Sequence, residues 1–355
     1  MTLAWPAVAG TPTAAALLRS SPDDFQVFEQ LGFELSGEGE HVFLHLQKRE
    51  LNSMELLQRI ARLSGIPARD IGMSGLKDRN AICQQWFSVR MAGREEPNWL
   101  ELEQASDVKV LQVGRHLRKL KRGVHKANRF MLRLRDLRGD RDDLAQRLLR
   151  VKDQGFPNYF GEQRFGRNGS SLAQARLWLD AGGRKISRTK RSLFLSAMRA
   201  FLFNSLLASR IEQGNWNRLL DGDVCALQGS RSLFGCELAD EEIQARARCG
   251  DIHPALPLWG RGRQLASDDR AAQQAAVLAN ESLVPGGTEI CAFLERMGLE
   301  LSYRPARALL DDFSWQFCDD GGLQLDFTLG TGSYATSLLA ELLQYTDNKG
   351  NSLDQ

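Results

Sequence analysis

Apolar and polar residues alternate along FQVFEQLGF (Phe25 to Phe33) and again along HVFLHLQK (His41 to Lys48), a period of two that predicts strands. The SGEGE segment between them is rich in turn residues, so the two strands are expected to close into an antiparallel hairpin. The period then changes: Met54, Leu57, Ile60 and Ala61 recur at helical spacing, Asn52 or Ser53 stands where an N-cap belongs, and Pro67 closes the unit. A helix through about Leu63 follows. QQWFSVRM, VKVLQVGRH and RFMLRLRDL read as three more strands, and DDLAQRLLRVKDQ as an amphipathic helix.

Beyond Gly155 strand patterns become scarce. SLAQARLWLDA, RSLFLSAMRAFLFNSLLASRIEQ and DDRAAQQAAVLANES are rich in Ala and Leu at helical spacing, which predicts a mainly helical stretch. Near Arg304 the strand pattern returns in ARALLDDFSWQFCD and LQLDFTL, a last helix is expected in SYATSLLAELLQY, and the polar tail NKGNSLDQ is expected to fray. Strands at both ends of a helical middle predict one α+β domain interrupted by an inserted helical one.

Length agrees with that division, because 355 residues exceed what one hydrophobic core usually serves. No segment approaches the roughly 18 uninterrupted apolar residues of a bilayer span. The N-terminal segment lacks the basic start of a secretory signal, so a cytoplasmic protein is expected. The six cysteines are widely spread with no CxxC pair, which signals neither a disulfide framework nor a zinc site. His41 and His45 should share the strand face opposite Val42, Leu44 and Leu46, and with no third ligand they read as solvated or hydrogen-bonded residues rather than a metal site.

Charge is more informative in its distribution than in its sum. The net value is only +2, yet Arg115 to Arg133 holds eight basic residues and no acid, and Arg184 to Arg199 holds six more. Asp311 to Asp326 holds five aspartates and no base, so a polarised surface is expected. Either basic run alone would pass for a solvated face. Two runs interleaved with Phe130, Phe194 and Phe201 favour a nucleic acid, whose phosphates need cations and whose unstacked bases need aromatic faces.

Gly330-x-Gly332-x-x-Ala335 imitates a dinucleotide fingerprint, but the chain ends before the second strand and acidic residue that such a unit needs. A tight strand-to-helix turn accounts for it equally well. GEQRFG (Gly161 to Gly166) lacks the Lys-Ser/Thr ending of a P-loop. In IGMSGLKDRNAICQQWFSV, Gly72 and Gly75 permit tight backbone geometry, and Lys77-Asp78-Arg79 sets one carboxylate between two cations. Nearby positive charge keeps a carboxylate anionic, as a nucleophile or a cation-stabilising group requires. By itself the segment reads more readily as an ordinary Asp in a polar turn.

Gly75-Leu-Lys-Asp-Arg79 with Gln84-Gln-Trp86, Lys126-Ala-Asn-Arg-Phe130, Pro157-Asn-Tyr-Phe-Gly-Glu-Gln-Arg-Phe-Gly166 and Gly332-Ser-Tyr-Ala-Thr336 occur in an order that resembles the TruD family of tRNA pseudouridine synthases. The resemblance runs from about Leu17 to Leu343. It implies a pseudouridine-synthase core, with a mixed, mostly antiparallel sheet and flanking helices, formed by residues 1–154 and 304–355 and interrupted by a mainly helical TRUD domain at 155–303. It also implies isomerisation of a tRNA uridine, typically at position 13, without cofactor or metal. No coiled-coil or symmetric-interface signal argues against a monomer, which is the expected state.

Asp78 falls at the family's catalytic aspartate, which would act at C1′ or C2′ of a flipped nucleotide. Phe25, Asn128, Phe130 and Phe327 fall at substrate-pocket positions, with Phe130 expected to stack on the base. Arg19 stands where the family often has Lys, and would pair with the catalytic carboxylate without exchanging a proton. Lys119, Lys121, Arg122 and Lys126 are expected on the RNA backbone. The alternative is a non-catalytic RNA-binding or RNA-chaperone protein, which needs the same cations but no carboxylate. A zinc deaminase is disfavoured by the lack of an H-x-E and P-C-x-x-C signature.

Overall fold

A computed structural model describes residues 4–347, so the tail expected to fray lies outside the described residues. The chain runs through β1 (Ala15–Leu18), β2 (Phe25–Gln30), β3 (His41–Arg49), α1 (Ser53–Ser64), β4 (Gly72–Met73), β5 (Ile82–Arg90), β6 (Val108–His116) and β7 (Ala127–Arg138). Next come α2 (Arg141–Gln154), β8 (Phe156–Pro157), α3 (Ser170–Asp180), α4 (Arg188–Glu212), β9 (Val224–Leu227), β10 (Leu233–Gly235), α5 (Glu241–Arg248) and β11 (Ile252–Leu258). It continues with α6 (Asp268–Ala279), α7 (Gly287–Arg296), β12 (Ser302–Pro305), β13 (Arg307–Ala308), β14 (Asp311–Phe317), β15 (Leu323–Gly330), α8 (Ala335–Leu342) and β16 (Gln344–Asp347).

Two compact units result. The sheet unit comprises Ala14–Asp140, Leu310–Gly332 and the chain from Gln344; the helical unit comprises the chain up to Thr13, Arg141–Leu309 and Ser333–Leu343. Helices α2 and α8 therefore belong with the helical unit, whose long segment begins and ends outside residues 155–303.

The sheet unit is built on a mixed sheet in the order β14-β15-β7-β2-β5-β3-β6, with β1 joining β7 and β16, and β4 joining β5. Its pairs are antiparallel except β2 with β5 and β1 with β16. The expected hairpin between β2 and β3 does not form, because β5 lies between them. The intervening Leu31, Phe33 and Leu35 pack on Phe43, Trp86 and Leu120 instead, and the Gly37 N–H donates to Arg115 O. The connection is thus anchored at β6 rather than folded back as a turn.

Helix α1 is capped by the Asn52 side chain, which accepts from the Met54 N–H, and ends at Gly65 in a left-handed conformation (φ 66°). It buries Leu56, Leu57 and Ile60 against Val42, Leu44 and Leu46 of β3, while Met54 stays exposed. His41 and His45 occupy the other face, His45 lying flat on Trp86 at 4.4 Å.

The helical unit also holds a sheet, β10-β9-β11-β12, antiparallel throughout. Its strands escaped the periodicity because IHPALPL of β11 is buried at nearly every position and so does not alternate. Helix α4 has the length and mean apolarity of a membrane span, but 67% of its most apolar window is buried in the unit's core. Phe194 and Phe201 lie in that core, so neither is an exposed stacking face. The Gly330 to Ala335 segment is a strand-to-helix turn with Gly332 at φ 98°, and GEQRFG contains a single 3₁₀ turn.

Candidate active site

Asp78 sits in the irregular segment between β4 and β5, and that segment is tied down at successive residues. Ser74 O accepts from the Gly123 N–H at 2.7 Å, Gly75 O accepts from Gln85 Nε2 at 2.6 Å, and the Lys77 N–H donates to Ser53 Oγ at 3.0 Å. Lys48, fully buried, donates Nζ to Asp78 O at 2.6 Å and to Leu51 O at 2.7 Å. Gly72 is required here, since a Cβ would stand 2.4 Å from both Leu120 O and Ser88 Oγ. Gly75 meets no such obstacle.

With its main chain held, the Asp78 side chain is 36% exposed while its partner Arg19 is 1% exposed. Arg19 Nη2 donates to Asp78 Oδ2 at 3.3 Å and Nη1 to Asp347 Oδ2 at 2.5 Å. Lys77 does not flank the Asp78 carboxylate as its position in the sequence implied; its ammonium forms a buried ion pair with Glu29. The pairing with Arg19 arises because β1 leads into Arg19 and β16 ends at Asp347, with Leu18 opposite Asp347 in parallel register. Arg19 itself adopts a left-handed backbone at φ 58°, a strained conformation for a long side chain.

The Arg19 guanidinium covers the Phe25 ring at 3.8 Å. Phe25 in turn meets Phe130 edge-on at 6.3 Å, and Phe130 stacks on Phe327 at 5.3 Å and 18°. The register of β7 produces this cluster by placing Phe130 opposite Phe327 on one side and Val27 on the other. Phe130 is partly exposed, whereas Phe25 and Phe327 are buried, so these two back Phe130 rather than line open space.

Two residues earlier on β7, and hence on the same face, Asn128 pairs through Nδ2 with His125 Nε2 at 3.1 Å. Its Oδ1 is buried without a hydrogen-bond partner. Burial, with Lys77 nearby, lowers the His125 pKa and keeps the ring neutral.

The segment 117–126 carries the expected phosphate-binding residues. Leu120 anchors it beside Phe43 and Trp86 and donates its N–H to Ser88 Oγ at 2.9 Å. Lys121, Arg122 and Lys126 are exposed and Lys119 partly so. Lys119, Lys121 and Arg122 line a cleft of about 480 Å³ with Arg69. None of the four has a carboxylate within ion-pair distance among the described residues. Other charges of the same run are neutralised, because Arg129 pairs with Asp326 and Arg133 with Asp320. Acidic and basic segments that are separate along the chain thus cancel in part across the sheet.

Lys48, Glu29 and Asp347 support the site but belong to none of the motifs. Lys48 and Glu29 were detectable, since each is the charged member of an otherwise apolar alternation, Leu44-Leu46-Lys48 and Phe25-Val27-Glu29. Asp347 carried no such mark.

Arg19 thus bridges the Asp78 carboxylate and the Phe25 end of the aromatic stack, and the mixed, mostly antiparallel sheet that carries them has the fold of the pseudouridine-synthase class. The family model described as tRNA pseudouridine synthase D (TruD) matches residues 7–175 and 171–342, and the chain belongs to this family. A curated tRNA pseudouridine synthase D from Nitrosococcus oceani is 45% identical over 340 residues, covering 96% of this chain and 93% of the relative. One from Methylococcus capsulatus is 45% identical over 341 residues, covering 96% and 94%. A crystal structure from Methanosarcina mazei that carries the same TruD designation agrees in fold, with a TM-score of 0.70 at 18% identity over 96% of each chain.

Proposed function

We propose that the protein converts uridine to pseudouridine in tRNA, at position 13, with Asp78 acting on the ribose of a flipped nucleotide. The reaction breaks the C1′–N1 bond, turns the uracil, joins C5 to C1′, and moves the C5 proton out as N1 gains one. No oxidant or cofactor enters that balance. Asp78 serves either by attacking C1′ or by taking the C2′ proton, and both routes need an anionic oxygen that solvent and substrate can reach. The observation that carries the reading is the pairing of a fully buried Arg19 with a carboxylate left 36% exposed. A permanently charged partner that reaches Asp78 through one N–H group and Asp347 through another orients the carboxylate while exchanging no proton.

Phe130 stacks on the extruded uracil, with Phe25 and Phe327 fixing its ring from behind. The unpartnered Asn128 Oδ1 accepts from uracil N3–H, which satisfies a polar atom that is otherwise costly to bury. Lys119, Lys121, Arg122 and Lys126 hold phosphates. The helical unit, which contains the expected insertion at 155–303, is a domain added to the pseudouridine-synthase core, and the enzyme works as a cytoplasmic monomer without metal.

Asp78→Asn keeps the shape of the side chain and removes its charge. It is expected to abolish pseudouridine formation on a tRNA transcript while leaving tRNA affinity within a few-fold; measurable turnover by this variant overturns the assignment. A non-catalytic RNA binder would use the same basic segment but has no use for the Arg19–Asp78 pair.

A further inference from the structure

PNYFGEQRFG has no part in the site above, yet in the helical unit it gathers two cations that lack counter-ions. Arg304 donates Nε and Nη2 to Asn158 O at 3.2 and 3.0 Å and Nη2 to Asn158 Oδ1 at 2.6 Å, and its guanidinium lies 4.2 Å over the Phe160 ring. Arg164 donates Nη1 to Ser196 Oγ at 2.9 Å and Nη2 to Tyr334 Oη at 2.8 Å, and stands 5.5 Å from the same ring. Every one of these partners is neutral. Among the described residues neither guanidinium has a carboxylate within ion-pair distance. Burial, with Arg164 adding repulsion, lowers the Arg304 pKa to about 10.

Hydrogen bonds to neutral groups engage Nε and Nη2 of Arg304 and both Nη atoms of Arg164 but leave two like charges uncompensated in a partly desolvated place, a cost that an anion relieves. The same spot holds further unfilled capacity. Thr336 Oγ1 is buried without a partner, and a Cβ on Gly161 would come within 2.6 Å of it, so only glycine leaves that hydroxyl its space. Phe160, Arg164, Arg304 and Tyr334 all remain partly exposed.

We propose that Arg164 and Arg304, seated on Phe160 and Tyr334, form a phosphate site in the helical unit that grips the backbone of the RNA substrate. A polyanion fits better than a small free anion because Ser196, which anchors Arg164, belongs to α4, whose first turn exposes Arg188, Lys190 and Arg191. These cations stand about 8–12 Å along the helix from Ser196, within reach of neighbouring phosphates on one strand. Phe160 and Tyr334 add ring surface of the kind that tolerates any base.

The site rests on RNA being the substrate, and filter binding of a tRNA transcript to the full chain across a salt series tests it. Arg164→Gln is expected to weaken binding roughly three- to ten-fold near 0.1 M salt and to lower the slope of log affinity against log salt by about 0.7–0.9. Arg164→Lys retains the slope, because a point charge suffices for a phosphate. Tyr334→Phe, which frees Arg164 but spares the ring, produces a smaller loss in the same direction. An unchanged slope in folded Arg164→Gln, or an equal loss in Arg164→Lys, overturns the site. A parent protein that forms no pseudouridine yet shows these slopes would sink the activity and leave the phosphate site standing.

Discussion

Arg19 joins two carboxylates through one guanidinium, covers Phe25 with its face, and holds a left-handed backbone while doing so. Strain of that kind persists only where the surroundings over-determine it. Removing the charge leaves Asp78 and Asp347 without their common partner, so Arg19→Met is expected to lower unfolding free energy by roughly 2–4 kcal/mol, below the value for a fully buried pair because Asp78 reaches solvent. Turnover should fall by two orders of magnitude or more, while Arg19→Lys keeps the larger share of both. Urea melts and single-turnover assays distinguish the three proteins, and parent-like turnover in the Met variant would remove Arg19 from the site. Asp78, Asn128 and Phe130 were legible through their motifs, but nothing local marked Asp347, whose role depends on the register between β1 and β16.

Among the elements, the segment 117–126 shows how a charge run becomes a surface. Leu120 turns inward, the Gly123 N–H fastens to Ser74 beside the Asp78 segment, and the flanking Lys and Arg side chains are left facing solvent. Replacing Lys119, Lys121 and Arg122 together with Gln is expected to weaken tRNA binding and reduce its salt slope by about two. Retention of the parent slope excludes the segment from the interface. The rest of the run behaves differently because β7 lies beside β15, which brings Arg129 to Asp326. Composition could count these charges but not cancel them. Likewise, alternation identified β2 and β3 as strands without revealing that β5 would separate them.

For the whole molecule, two buried groups of opposite behaviour lie in the helical unit. Burial, with Arg307 beside it, lowers the His253 pKa to about 4, and burial raises the Glu341 pKa to about 7. The depressed histidine stabilises the fold above its unfolded value of about 6.5 and loses that contribution as pH falls toward 4. The raised carboxyl does the reverse, contributing below its unfolded value of about 4.3 and losing the contribution as pH rises through 7. Each is worth about 3 kcal/mol across its window, so the two offset each other between roughly pH 4.5 and 6.5. Single variants expose them. Stability relative to the parent should rise as pH falls for His253→Asn and rise as pH increases for Glu341→Gln. Flat difference curves in thermal melts would rule out both contributions.

The sequence by itself determined the periods of most strands and helices, the Asn52 cap, the scarcity of long apolar runs, and the ordered motifs that lead to the family. Those features are written in residues two to four positions apart, or in short contiguous strings, where side-chain direction and backbone preference act locally. Only the tertiary structure decided the order of the strands, the second sheet among the helices, and which cation meets which acid. Strand β5 beside β2, Lys77 on Glu29 and Arg19 on Asp78 each depend on burial and pairing summed over segments far apart in the chain, and local pattern carries no record of that sum.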